Sequence, residues 1–180
     1  QGAMAAILGL DFATVDHIAR EVAGDALVQA ANDNDLAQVV ISGHKAAVER
    51  AAEAMKAAGA KRVLMLPVSA PFHSVLMQPA AAAMADALAA VDIHAPAVPV
   101  IANVRAEPVS EPGAIRILLV EQVTGSVRWR ESIEFLAGQG VTEFWEIGAG
   151  KALSGMIKRI SKDAGTRNIG TLADLAALKG

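Results

Sequence analysis

A chain of 180 residues is long enough for one domain or two small subdomains around a sizeable core. Its 53% hydrophobic and 19% charged residues exclude a disordered chain, while a net charge of −3 and 3% aromatic residues, with no tyrosine, give no basis for nucleic-acid binding. Zero cysteines exclude disulfides, thiolate metal sites and a cysteine nucleophile, and are compatible with the cytoplasm.

Alanine supplies much of the apolar content, and no apolar run reaches the roughly 18 residues that span a bilayer, so no membrane partner is expected. The chain starts at Gln1 rather than methionine, which reads as a cut or truncated start, and no secretory leader is visible. Ala3 to Leu8 reads as a strand ended by Gly9. Asp11 or Thr14 can cap the helix that follows, with Val15, Ile18, Ala19 and Val22 on one face, and Gly24 ends it. Ala26 to Ala31 is expected as a second strand. Asn32-Asp33-Asn34-Asp35 is expected as a turn, because Asn and Asp bond their own backbone. Gln38 to Ile41 is a third strand, and Ser42-Gly43 leads to a helix burying Val48, Ala51, Ala52 and Met55. Gly59 stops that helix before a fourth strand, Arg62 to Leu66. The order strand-helix-strand-strand-helix-strand is the ferredoxin-like βαββαβ pattern and fills residues 1–67. It predicts a four-stranded antiparallel sheet with two helices on one face.

Pro67 and Pro71 break the fourth strand, and Pro79 opens an alanine-rich helix running to about Ala90. His73 therefore sits in a tight link between a strand end and a helix start, where a side chain can be held by a rigid scaffold. Such a histidine can exchange protons near neutral pH, or it can simply cap or face solvent. Residues 68–180 then alternate helix and strand. Val98 to Asn103 is a short strand made irregular by Pro99, and Ser110 to Gly113 is a turn. Ile115 to Val123 and Trp129 to Gly138 are helices. Glu143 to Ile147 is a strand, and a last helix carries Leu153, Met156, Ile157 and Ile160. These pieces predict an incomplete parallel sheet.

Gly148-Ala149-Gly150-Lys151 follows a strand and opens a helix, but lacks the earlier glycine and the Ser or Thr of a P-loop, so a tight turn is the better reading. His17, His44 and His94 lie on separate elements without metal-ligand spacing, and no metal or other cofactor is expected. Glu49, Glu53 and Lys56 form a solvated helix face.

Ser69-x-Pro71-x-His73-x-x-Leu76-Met77-x-Pro79-Ala80 resembles the histidine segment of the malonyl-CoA:acyl-carrier-protein transacylases. The likeness runs from Gly2-Ala3-Met4-Ala5-Ala6-Ile7 to Ile147-Gly148-x-Gly150-Lys151. The resemblance implies that residues 68–180 are the C-terminal part of an α/β-hydrolase-like subdomain, giving an α/β (α+β) protein. It also implies a ping-pong transfer, in which a serine takes a malonyl group from coenzyme A and passes it to the phosphopantetheine thiol of acyl carrier protein. His73 would be general base and then general acid. Gln122, in Gln122-x-x-x-x-Val127-x-Trp129, would orient His73 through its main-chain carbonyl, in place of a triad aspartate. Asn34 and Gln38, in a segment that resembles the family's Asn-x-Asn-x-Pro-Gly-Gln, would face the substrate, as would Phe72. The implied partners are malonyl-CoA, acyl carrier protein and the missing N-terminal part of the same enzyme.

The family's Gly-His-Ser-x-Gly-Glu segment is not in this chain, and none of its serines stands in a Gly-x-Ser-x-Gly elbow. The resemblance assigns the nucleophile to sequence upstream of Gln1. A second class of reading needs no nucleophile: a non-catalytic ferredoxin-like module that binds a ligand or a protein.

Overall fold

Apolar runs and the residues that interrupt them set out the first part of the chain. The computed structural model describes residues 1–68 and 70–178. Strand β1 (Gly2–Leu8) leads to helix α1 (Phe12–Val22), whose N-cap Asp11 accepts the Thr14 N–H at 2.7 Å. Strands β2 (Val28–Asp35) and β3 (Gln38–His44) form a hairpin, followed by α2 (Lys45–Ala57) and β4 (Arg62–Met65). The four strands make one antiparallel sheet in the order β2-β3-β1-β4. Ala5 and Ile7 of β1 and Val39 and Ile41 of β3 pack against Val15 and Ala19 of α1 and Val48, Ala51 and Met55 of α2. The opposite face is also buried, through Met4, Ala6, Ala31 and Val40. That is why β1 reads as an almost unbroken apolar run instead of alternating.

Gly43 permits the tight pairing of β3 with β2. A Cβ at this position would stand 2.1 Å from the Leu27 carbonyl oxygen, which cannot move without breaking the ladder. Gly43→Ala is expected to cost about 1–3 kcal/mol in urea unfolding. Gly138→Ala, where an added Cβ meets nothing within 4 Å, should leave the midpoint unchanged or raise it.

The second part contains α3 (Gln78–Ala89), a ribbon of β5 (Val100–Ala102) and β6 (Glu107–Val109), and α4 (Pro112–Thr124). It continues through α5 (Trp129–Gly138), β7 (Glu143–Ile147), α6 (Ala152–Ile160), β8 (Gly165–Ile169) and α7 (Leu172–Ala177). Strands β7 and β8 pair in parallel, above a small core of Ile133, Ile157 and Ala164. The two parts meet along the outer edge of β2. There Val127 donates to Ala31 O and accepts from Asp33 N, each at 2.8 Å. Arg130 of α5 grips the Asp33 carboxylate, with its closest contact at 2.8 Å, and Arg159 of α6 holds Asp35 at 2.7 Å.

Two local expectations are corrected, and three elements go beyond the expected set. Asn32 to Asp35 is not a turn but the second half of β2, and the reversal is Leu36-Ala37 alone. The turn propensity of Asn and Asp is overridden by backbone partners on both sides, β3 and Val127, and by the two arginines that take the aspartates. Asp35 retains a turn role, since its Oδ1 accepts the Ala37 N–H at 2.9 Å. Ser42-Gly43 lies inside β3, with His44 at the helix N-cap position. β6 and β8 are strands without a periodic signal; Glu-Pro-Val and Gly-Thr-Arg-Asn-Ile become strands only by pairing with β5 and β7. α7 begins at a capping box between Thr171 and Asp174.

Asp11 and Glu111 accept N–H groups at a helix start, chiefly from Thr14 and Gly113, while Asp174 accepts chiefly the Thr171 hydroxyl together with the Gly170 and Thr171 N–H groups, and these bonds hold all three carboxyls below the usual range. Their stabilisation is therefore present above the ordinary carboxylate pKa and is lost as pH falls through the lowered values. The melting temperature should drop as pH falls below the ordinary carboxylate range. Asp11→Asn with Glu111→Gln and Asp174→Asn should flatten that acid limb.

Candidate active site

After β4 the chain turns away from the sheet at Pro67, and Pro71 packs directly on Gly2 of β1. A Cβ on Gly2 would lie 2.3 Å from the Pro71 ring. Ser74 is fully buried and donates its hydroxyl to Pro71 O at 2.7 Å, closing the loop on itself. A single 3₁₀ turn, Val75–Met77, then feeds α3, with Pro79 in its first turn. Ser69 of the histidine motif lies outside the described residues.

His73 occupies the apex of this loop with φ +55°, a left-handed conformation that few residues bearing a Cβ adopt. Its Nδ1 lies 2.9 Å from the main-chain oxygen of Gln122. A carbonyl can only accept, so the Nδ1 proton is donated, and in the neutral ring Nε2 is the nitrogen that carries the lone pair. Gln122 sits in the last turn of α4, where helix carbonyls have no intrahelical donor, so its oxygen is free to receive the imidazole. The Gln122 side chain is anchored separately, accepting from Asn103 Nδ2 at 3.1 Å.

Phe72 precedes His73 and is 43% exposed. Asn34 and Gln38 lie at the other end of the sheet. Gln29 of β2 contacts the His73 loop, and Gln38 pairs with Asp35, six positions further along that strand. At roughly 3.3 Å per residue that is about 20 Å. There Gln38 borders a hollow of about 540 Å³ together with Lys61, Arg62 and Arg159.

Gln29 itself is the residue that sequence reading missed. Its Nε2 donates to His73 O at 3.3 Å and to Thr124 O at 3.4 Å, and its Oε1 accepts the Val75 N–H at 3.2 Å. The available signal was a lone amide inside the apolar run from Ala26 to Ala31.

The Gly148 to Lys151 turn is not an anion seat. Its place at the start of α6 is taken by the Glu146 carboxylate, which accepts from Leu153 N at 3.1 Å and Ser154 N at 2.8 Å. Those bonds, with the Ser154 hydroxyl foremost, hold the Glu146 carboxyl below its ordinary range. Among the described residues no three His, Asp or Glu side chains converge as a metal site, and no helix is long and apolar enough to cross a membrane. His17 and His94 are exposed beside Glu21 and Asp92, whereas His44 Nδ1 accepts the Leu27 N–H at 3.0 Å.

No protein-family model matches the chain. It is 50% identical over 159 residues to the malonyl CoA-acyl carrier protein transacylase of Escherichia coli strain K12, an alignment covering 88% of this chain and 52% of that protein. By sequence this chain is a relative of the malonyl CoA-acyl carrier protein transacylases. The crystal structure of an acyl-carrier-protein-S-malonyltransferase from Bartonella henselae superimposes with a TM-score of 0.94 at 52% identity, covering 99% of this chain and 57% of that one. A malonyl-transacylase solved in complex with a type II PKS acyl-carrier protein superimposes with a TM-score of 0.94 at 44% identity, over 98% of this chain and 57% of that one. The chain spans about half the length of the curated transacylases it matches.

Proposed function

We propose that this chain supplies the acid–base half of an acyl-transfer site, in an enzyme that moves a malonyl group from coenzyme A to the phosphopantetheine thiol of acyl carrier protein. The observation that carries the reading is the 2.9 Å contact between His73 Nδ1 and the Gln122 carbonyl. It orients the ring as an aspartate does in a Ser-His-Asp triad and leaves Nε2 free to take a proton. In the proposed cycle Nε2 accepts the proton of a serine hydroxyl as that oxygen attacks the malonyl thioester. It then returns the proton to the departing thiolate of coenzyme A. In the second half His73 deprotonates the carrier thiol and reprotonates the serine. The non-catalytic reading leaves the pairing of His73 with a helix-end carbonyl without a role.

Residues 1–67 are read as a ferredoxin-like small subdomain, which the strand order β2-β3-β1-β4 supports. Residues 68–180 are read as the C-terminal part of an α/β-hydrolase-like subdomain, and the parallel β7–β8 pair is consistent with that. Phe72 is proposed to border the acyl end of the substrate beside His73. Asn34 and Gln38, distant along the sheet, are proposed to meet the remainder of the long thioester. The cytoplasm is the compartment this reading implies.

The test uses intact mass after incubation with malonyl-CoA. The chain alone should gain no malonyl group. The chain extended by the nucleophile-bearing segment of a relative should gain one, and should discharge it to holo acyl carrier protein. A stoichiometric adduct on the unextended chain, or an extended chain that folds but never acylates, would overturn the proposal.

A further inference from the structure

We propose that Gln29 is a positioning residue for His73, setting its tautomer and aim by clamping the His73 loop to the end of α4; this rests on the acid–base reading above. The clamp uses the whole amide. Both Nε2 contacts are carbonyls, His73 O at 3.3 Å and Thr124 O at 3.4 Å, and the Oε1 contact is the Val75 N–H at 3.2 Å. Two acceptors on one side and a donor on the other leave a single chemically sensible orientation of the amide.

The three contacts lie where the imidazole has most freedom to err. His73 is left-handed at φ +55°, so its peptide gains by relaxing to a negative φ, which would swing the ring away from Gln122. The bonds to His73 O and Val75 N fix the peptide groups on either side of Ser74 and oppose that relaxation. The bond to Thr124 O reaches the helix end two residues beyond the carbonyl that receives Nδ1. One side chain thus sets donor and acceptor against each other across separations of 44 and 95 residues. Its own base is fixed, because Gln29 lies in β2, paired to Ser42 of β3, and Val127 closes the outer edge of that strand three residues on.

Gln29 does not touch the reacting atoms in this scheme, so its test must read the imidazole itself. Long-range ¹H–¹⁵N correlation spectra of the ¹⁵N-histidine-labelled chain report which ring nitrogen of His73 carries the proton. At a pH where the ring is neutral, the unsubstituted chain should show the Nδ1–H form. Gln29→Met, which keeps the length and removes all three hydrogen bonds, should convert it to a mixture with Nε2–H. Gln29→Glu, which can still accept from Val75 N but cannot donate to the two carbonyls, should do the same above the carboxylate pKa. Backbone amide shifts of β1 and β3 establish that each variant remains folded. In the extended enzyme, kcat should fall by up to about 10²-fold with KM little changed. An unaltered Nδ1–H signal in either folded variant would overturn the proposal. The acid–base reading fails by a different result, full transfer by His73→Ala, which leaves the tautomer measurement untouched.

Discussion

His73→Ala in the extended enzyme should lower malonyl transfer to acyl carrier protein by about 10²–10⁴-fold, the range that a positioned general acid–base supplies. The replacement removes the only group placed to exchange the nucleophile's proton in the proposed scheme, while a serine and an oxyanion site from the added segment would still bind substrate. The loss should therefore fall on kcat more than on KM. Gln122 offers the internal contrast. The contact at 2.9 Å is made by its main-chain oxygen, which Gln122→Ala retains, so that variant should lose far less. Some loss is expected because the side chain accepts from Asn103 and steadies the helix end. Gln122→Pro should be severe, since proline inside α4 removes a helical N–H and collides with the preceding turn. Steady-state transfer rates for the three variants, with circular dichroism to confirm folding, check the ordering. Equal damage from Gln122→Ala and His73→Ala would place the role in the glutamine side chain and refute the backbone assignment.

Arg130→Met should destabilise the chain by about 3–5 kcal/mol in urea unfolding at neutral pH, because it strands a buried carboxylate. Asp33 is only 1% exposed, and Arg130 reaches it through both Nε and Nη2 while also bonding Glu134 at 2.7 Å. Burial pushes the Asp33 carboxyl above its ordinary pKa, and the Arg130 guanidinium offsets part of that rise. Without the arginine the value climbs further. An acid whose folded pKa is raised penalises the fold at pH values above it and stops doing so once protonated. The deficit of Arg130→Met should thus be largest at neutral pH and shrink as pH falls through the raised value. Replacing both partners, Asp33→Leu with Arg130→Met, should recover most of the loss, since an apolar pair needs no countercharge. A single substitution costing less than about 1 kcal/mol, the scale of an exposed ion pair, would show that water reaches Asp33.

Elements whose cause lies within a few residues were open to reading in the chain itself. The apolar run of β1, the helical spacing of Val48, Ala51, Ala52 and Met55 in α2 and the full extent of α5 are of this kind, as is the Asp11 cap. The position of His73 between a proline-broken strand and a proline-opened helix was also legible, because proline acts locally on its own φ and hydrogen bonding. The contact between His73 and Gln122 was not derivable from spacing, and only family resemblance pointed to it. It joins residues 49 positions apart, and the tertiary structure supplies the distance.

Other features were decided wholly by tertiary structure. Asn32 to Asp35 has the composition of a turn, yet it is a strand because Val127, Arg130 and Arg159 satisfy its backbone and carboxylates from 94 to 124 residues away. β6 and β8 carry too little periodicity to declare themselves and exist through their partners' ladders. Gln29 looked like an interruption in an apolar strand until the His73 loop and the end of α4 closed around its amide. Short-range propensity costs a few tenths to one kcal/mol per residue, and a backbone edge paired on both sides outweighs it once the chain has folded.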